Sequence, residues 1–513
     1  MILVYHKNNR ISRVISENKA ELLFDSKATI AEGLSELALQ FPKSKMGWCK
    51  EVFQEYLNVK EMDSLFHHNK MMLSYNPTAF NYLGKKIGYI EESPFINVNK
   101  KVTYPTWQMS SVVGVIHASL LLEINNKIKK DTDFDYYLNS VAKICMPLGL
   151  ICYSEPRLLR TYEANTISKQ ASIYTLFKFV KQHYKPQWIL LLLLNFMVYE
   201  RKLQFLPFLY AVLIKKRSNN NINLDDIVAL SSLKVVKEAT IDVIIPTIGR
   251  CNYLYDVLCD LRRQTHLPKN VIIVEQNPLP GSASDLDYLQ SELWPFAIKH
   301  TFTHQVGACN ARNIALGKVE SEWVFLNDDD NRFEIDLIEK IFLNIIKFGI
   351  IAVTTSYLQI NEKQNYKVIC QSGIFGSGNS FLKTEALNKV SFNESLEFGY
   401  GEDADFGLQL RNNGVDIIYF PEPSILHLKA PIGGFRIKNI LAWEKEEIQP
   451  KPSPTVMLYQ KLHTTQEQIN GYKLVFFIKS FKNSGWKNPM QFLSSFQKKW
   501  EASLYWAKQL ENK

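Results

Sequence analysis

The chain has 513 residues, 46% hydrophobic and 12% aromatic, which excludes a disordered or fibrous protein and allows two or three domains with cores of their own. Its 60 Lys and Arg exceed 51 Asp and Glu, a formal charge of +9, which suggests an anionic partner without saying which kind. Seven cysteines lie far apart with no CxxC pair, so they read as reduced thiols of a cytosolic protein with no zinc site.

The opening MILVYHKNNR brings charge in after four apolar residues, too soon for a signal peptide, and reads as a first strand. Residues 1–165 alternate strand-like and helix-like segments, as an α/β module does. Residues 166–235 read as a helical connector and linker. Within it, WILLLLLNFMVY (Trp188 to Tyr199) and a second run from Leu203 to Ile214, broken by Pro207, each fall short of the roughly 20 apolar residues of a membrane-spanning helix. A buried helical hairpin is the expectation, with a membrane-dipping element as the other reading. The polar, Asn-rich stretch Lys215 to Asp226 has linker composition.

A new pattern begins near residue 236 and runs to about 440. IDVIIP (Ile241 to Pro246), the helical NYLYDVLCDLRRQ and VIIVEQ (Val271 to Gln276) form a β-α-β unit, and a third unit leads through ACNARNIALG into EWVFLN (Glu322 to Asn327). The sheet is therefore parallel, with helices on its faces, and ligands of such sheets bind outside the C-terminal strand ends. Three features sit there. Asp328, Asp329 and Asp330 end an apolar strand; together they would repel one another unless a hard divalent cation joins them, and a solvated acidic turn is the alternative. Glu402 and Asp403 open a helix, as first-turn acids or as a general base with its neighbour. His427 follows VDIIYFPEPSIL, either a structural histidine or a ligand.

In this order the features resemble family 2 glycosyltransferases of the GT-A fold, over about Ile241 to Arg436. The resemblance implies a nucleotide-sugar-binding, Rossmann-like domain at 236–440. It places the donor at Pro246, Thr247, Arg250, Glu275, Arg312, Asp328 and Asp329, with Gly307-Ala308-Cys309-Asn310-Ala311-Arg312-Asn313 as the helix beside the diphosphate. Asp330, Asp328 and His427 would hold Mn²⁺ or Mg²⁺, Gly378, Asn379 and Glu402 would meet the acceptor, and Asp403 would be the base, with Glu402 beside it. Glu275-Gln276-Asn277 departs from the commoner Asp-Asp-Gly-Ser. The implied activity is inverting hexosyl transfer from a nucleotide sugar, most commonly UDP-linked, to a glycan or lipid-linked acceptor in surface polysaccharide or glycoconjugate synthesis. The competing readings are a non-catalytic nucleotide-sugar-binding or assembly subunit and a sugar nucleotidylyltransferase. The latter lacks its Gly-rich basic loop, since only Gly249 and Arg250 follow Pro246.

The 1–165 module contains an echo of this domain. Asp133-Phe134-Asp135 followed by GLICYSEPRLL parallels DADFGLQLRNNGVDIIYFPEPSILH, with Leu159 in the place of His427 and no Asp cluster before it. A degenerate GT-A-like copy and chance similarity are both open, and matching strand orders would decide. Residues 441–513 read as a basic helical region. From Lys451 onward ten lysines face three glutamates, so most of the +9 sits there. Phe492, Phe496, Trp500 and Leu504 recur along one helical face, for packing on the catalytic domain or for docking to an anionic membrane. The expected location is cytoplasmic, peripheral on the inner face of the membrane if the tail docks. Without zinc-finger spacing, an RNP-like box or a basic heptad helix, nucleic acid is not an expected partner.

Overall fold

The computed structural model describes residues 1–160, 170–217, 221–431, 440–485 and 488–512; parts of the linker and the last residues of the resemblance, to Arg436, lie outside them. The chain divides into two units, Met1–Ser232 with Thr464–Gly485, and Leu233–His463 with Trp486–Lys513.

In chain order the first unit carries β1 (Ile2–Lys7), β2 (Arg10–Ile15), α1 (Ile30–Gln40), β3 (Lys45–Lys50), α2 (Val59–Leu65), β4 (Met71–Tyr75) and β5 (Tyr104–Pro105). Then come β6 (Val113–His117), α3 (Ala118–Ile124), α4 (Phe134–Cys145), β7 (Ile151–Ser154), α5 (Ile173–His183), α6 (Gln187–Tyr199) and α7 (Phe205–Val212). Local chemistry sets the boundaries: α1 starts at a capping box in which Thr29 Oγ1 accepts from Glu32 N and Glu32 Oε2 accepts from Thr29 N at 2.8 Å. The seven strands form one sheet in the order β2-β1-β3-β6-β4-β7-β5.

The second unit carries β8 (Ile241–Thr247), α8 (Cys251–Arg262), β9 (Asn270–Gln276), α9 (Tyr288–Ser291), β10 (Ala297–Thr303), α10 (Ala308–Leu316), β11 (Trp323–Asn327) and β12 (Asn331–Arg332). It continues with α11 (Leu337–Phe348), β13 (Ala352–Gln359), β14 (Cys370–Gln371), β15 (Asn379–Lys383), α12 (Glu402–Asn412), β16 (Ile418–His427) and α13 (Pro454–His463). Two helices remain: α14 (Gln466–Lys482), which belongs to the first unit, and α15 (Pro489–Glu511), which belongs to the second. The sheet order is β10-β9-β8-β11-β15-β13-β16-β12, with β14 on β16. The middle residues of β8 and β9 are apolar, and both strands are almost wholly buried, as central parallel strands must be. A buried carboxylate at the start of β8 is fully partnered: Asp242 accepts from Asn270 Nδ2 (2.7 Å), Ser321 Oγ (2.6 Å) and the N–H of Glu320 (2.7 Å), which ties β8 to β9 and to the turn before β11.

The strand orders of the two units match where the echo requires it. β1-β3-β6-β4-β7 repeats β8-β11-β15-β13-β16, and both series pair parallel, antiparallel, antiparallel, parallel. Short strands before β6 and β15 add antiparallel to β7 and β16 in the same way. Leu159 bridges Leu57 antiparallel as His427 pairs with Asn331, so Leu159 does stand where His427 does. The first unit is thus an α/β sheet of the same plan. It differs on one flank, where β1 is edged by its own hairpin partner β2 instead of two further parallel strands.

Two expectations change. The 188–214 hairpin is only half buried: α6 buries Ile189, Leu192, Leu193 and Phe196, but α7 buries only Pro207 and Ala211 and leaves Leu206 67% exposed, and Leu213 just after it is 85% exposed. In the 441–513 region, the aromatic face of α15 is covered, with Phe492, Phe496 and Trp500 buried. That removes the face a docking helix would offer to a membrane. No helix among the described residues is long and apolar enough to cross a membrane.

Candidate active site

The C-terminal ends of β8, β9 and β11 open into two neighbouring cavities of ≈ 410 Å³ each, sharing Thr247, Ile248, Arg250 and Gln276 on their walls. Strand geometry brings these residues together: β8 delivers Pro246 and Thr247, the loop through Gly249 (φ +62°) turns the chain so that Arg250 faces the acidic triplet, and α8 follows.

The three aspartates after β11 are handled differently. Asp329 is buried and accepts from Thr247 Oγ1 at 2.7 Å and Arg250 Nη1 at 2.6 Å; burial nevertheless pushes its carboxyl up to about 6. Asp330 accepts from Ala430 N at 2.8 Å and lies 3.4 Å from His427 Nε2 and 3.2 Å from Arg250 Nη1. Burial pushes its carboxyl up, but His427, the Ala430 N–H and Arg250 outweigh that and hold it below its ordinary range. Asp328 turns the other way, to Arg312 Nη2 and the Tyr357 hydroxyl, each at 3.0 Å. Tyr357 in turn stacks on His427, ring centroids 4.6 Å apart.

These contacts bear on the expected metal. Asp330 and His427 converge on one side of the cavity, whereas Asp328 is committed to Arg312 and Tyr357; among the described residues no three His, Cys, Asp or Glu side chains group as a metal site. Two protein ligands with phosphate oxygens and water suit Mg²⁺ or Mn²⁺, so Asp330 and His427 fit such an ion and Asp328 does not.

Asp403 is the second residue of α12, which begins directly after Gly401 (φ +116°). Ser377 favours the charged form of Asp403, whose Oδ1 is shielded from solvent and has no hydrogen-bond partner. Burial raises its pKa although Arg312 opposes the rise. Burial and the neighbouring Asp403 charge lift Glu402 to about 7. The acceptor-side expectations are split. Gly378 packs against Asp328, where a Cβ would come 2.1 Å from Oδ2, so a side chain there would displace Asp328. Asn379 is not available to an acceptor: it is buried, with Nδ2 donating to Thr355 O at 2.6 Å and Thr354 Oγ1 at 3.2 Å.

Glu275 lines the second cavity and accepts from Ser284 Oγ (2.5 Å), Asp285 N (3.1 Å) and His300 Nε2 (2.9 Å). Arg312 lies on α10, but the first-turn N–H groups of Cys309 and Asn310 donate to Glu397, at 3.2 and 3.0 Å. The start of this helix is therefore occupied by a carboxylate of the chain itself. Glu397 had no motif to announce it. Tyr357 lies within β13, two residues before its end, and no motif announced it either.

Residues 242–397 match the family model described as Glycosyl transferase family 2, so this segment is similar to that family. Among curated proteins, an uncharacterised glycosyltransferase of Rickettsia conorii is 29% identical over 161 residues, covering 30% of this chain and 25% of the relative. A second, from Rickettsia felis, is 28% identical over 157 residues with the same coverages. The chain thus spans about a quarter of the length of these relatives. Solved structures with similar arrangements include S. aureus TarS 1–349 in complex with UDP-GlcNAc (TM-score 0.36, 14% identity, 53% of this chain and 92% of that one). GalNAc-T7 with UDP, GalNAc and Mn²⁺ is another (TM-score 0.30, 12% identity, 37% and 44%). Likenesses this distant carry no argument about substrate.

Proposed function

We propose that this protein is an inverting glycosyltransferase that moves a hexose from a nucleotide sugar, UDP-linked by preference, to a hydroxyl of a glycan or lipid-linked acceptor, in surface polysaccharide or glycoconjugate synthesis at the cytoplasmic side. The observation that carries this reading is Asp403, whose unpaired Oδ1 lies out of solvent in the electrostatic reach of Arg312.

The nucleotide sugar occupies the paired cavities, with the base toward Glu275 and the phosphates toward Arg250, Arg312 and Lys429. Asp403 takes the proton of the acceptor hydroxyl as that oxygen bonds to the anomeric carbon, while the bond from that carbon to the diphosphate oxygen breaks. Burial favours this transfer, because a carboxylate deprived of water gains more by accepting a proton. A single displacement inverts the anomeric configuration. A divalent cation held by Asp330 and His427 would neutralise charge on the departing diphosphate. Arg312, fixed by Asp328, presents a positive group from the neighbouring helix.

The test is Asp403→Asn, assayed for transfer and for donor binding by calorimetry. The expected outcome is intact donor binding with transfer lost; turnover at the wild-type rate would overturn the base assignment. Donor hydrolysis with Mn²⁺ or Mg²⁺ separates the transferase from a non-catalytic binding subunit, which would release no sugar.

A further inference from the structure

The second helix of the apolar hairpin packs by one face and leaves the other open to solvent. Pro207 and Ala211, one turn apart, are the buried positions of α7, and the Tyr210 ring meets Tyr174 of α5 edge-to-face with centroids 5.7 Å apart. Helical spacing puts Phe205, Leu206, Leu209 and Leu213 on the opposite side. These four, with Leu203 in the loop before the helix, are between 43% and 85% exposed. A single exposed leucine is ordinary, but five large apolar side chains within 203–213 form the kind of patch that marks an interaction surface.

The charge around this patch has one sign. From Ile173 to Arg217 the chain carries eight Lys and Arg against one acid, Glu200. Glu200 is ion-paired with Lys86 and accepts from the Tyr89 hydroxyl at 2.6 Å, so its charge is matched within the unit. Arg201 and Lys202 precede α7, Lys215 and Lys216 follow it, and all four are exposed. Positive groups therefore stand at both ends of a helix that carries no charge of its own.

This pattern selects among the occupants that an apolar face can have. A two-fold contact with a second copy of the chain would set the same cations against one another. The boundary layer of an anionic bilayer instead takes apolar side chains between the lipids and pairs the flanking Lys and Arg with lipid phosphates, their stems lying along the apolar surface. With 13 residues in α6 and 8 in α7, neither helix can cross, so the contact lies in the plane of the headgroups.

We propose that α7 and the loops at its two ends dock the first unit on an anionic membrane surface, apolar face inward. The docking goes beyond the transfer reaction, since lipid binding needs neither donor nor acceptor.

The experiment is co-sedimentation of the full chain with vesicles of equal parts phosphatidylglycerol and phosphatidylcholine, compared with phosphatidylcholine alone. The wild-type chain should bind the anionic vesicles at least about tenfold more strongly, and added salt should release it. Leu206→Gln combined with Leu213→Gln should weaken that binding at least about tenfold without unfolding the chain. Lys215→Glu combined with Lys216→Glu should weaken it by about the same factor. No binding, equal binding to both vesicle types, or binding that both double variants keep overturns the proposal. A dimer in analytical ultracentrifugation that the leucine variants dissociate, with vesicle binding unchanged, overturns it in favour of self-association. A chain that binds vesicles but transfers no sugar would count against the transferase reading alone.

Discussion

The two units share a sheet and differ in what is hung on it. Both pair their central strands in the same order and sense, and both hold an aspartate at the second position of a helix with a serine from the neighbouring loop. Only the second carries three aspartates after the strand in the middle of its sheet, a histidine opposite them, and two further parallel strands on the flank beyond β8. In this protein the sheet is therefore a reusable scaffold, and the chemistry lies in a few residues at the ends of its strands.

The sharpest way to break the comparison is to make the same change in both halves. Asp403→Asn should lower transfer by roughly 10²–10⁴-fold, the usual worth of a positioned general base. Asp135→Asn should change it less than about twofold, as read by nucleotide diphosphate release. Equal losses would mean that the two sites act together. A second contrast concerns the cores. Asp242 sits in a buried cluster of four hydrogen-bond donors, and Asp242→Ala would strip them of their acceptor, at a cost of about 2–4 kcal/mol seen in urea unfolding of the second unit. Its register partner in the first unit is the apolar Ile2, where Ile2→Val should cost only about 1 kcal/mol.

The third prediction uses pH. Glu402 is raised to about 7 in the folded chain, above its value when unfolded, so its contribution to stability is present below about pH 4.5 and is lost as pH rises through 7. Glu402→Gln should therefore raise the melting temperature relative to wild type at pH 8 and not at pH 4.5; a shift of the same size at both pH values would contradict the assignment. The smallest effect is expected at α7 and its C-terminal end, where Leu206 and Leu213 are exposed. Leu206→Gln and Leu213→Gln should each change stability by less than about 0.5 kcal/mol in urea titration.

Much of this was legible in the sequence where chemistry and period coincide. β-branched runs such as Asn270–Gln276 announce buried strands, and polar residues directly after them, Asp328 to Asp330 among them, announce the site. What was not legible depends on partners distant in the chain. Nothing local reveals that Asn379 spends its amide on Thr354 and Thr355, that Asp328 faces Tyr357 instead of His427, or that Glu397 covers the start of α10. The apolar run of α7 and the aromatic stripe of α15 look equally ready to be buried. Only their neighbours decide that one is covered and the other is not.

The chain returns to its first unit late. α14 fits where Gly471 meets the Tyr89 backbone so closely that a Cβ would lie 2.2 Å from its carbonyl oxygen, and Gln468 donates to the carbonyls of Glu91 and Ser93. During synthesis those carbonyls wait while the whole of the next sheet emerges from the ribosome. The first unit is thus the earlier to begin folding and cannot be the earlier to finish, and a chain released before residue 485 leaves an open seat on a half that is otherwise complete.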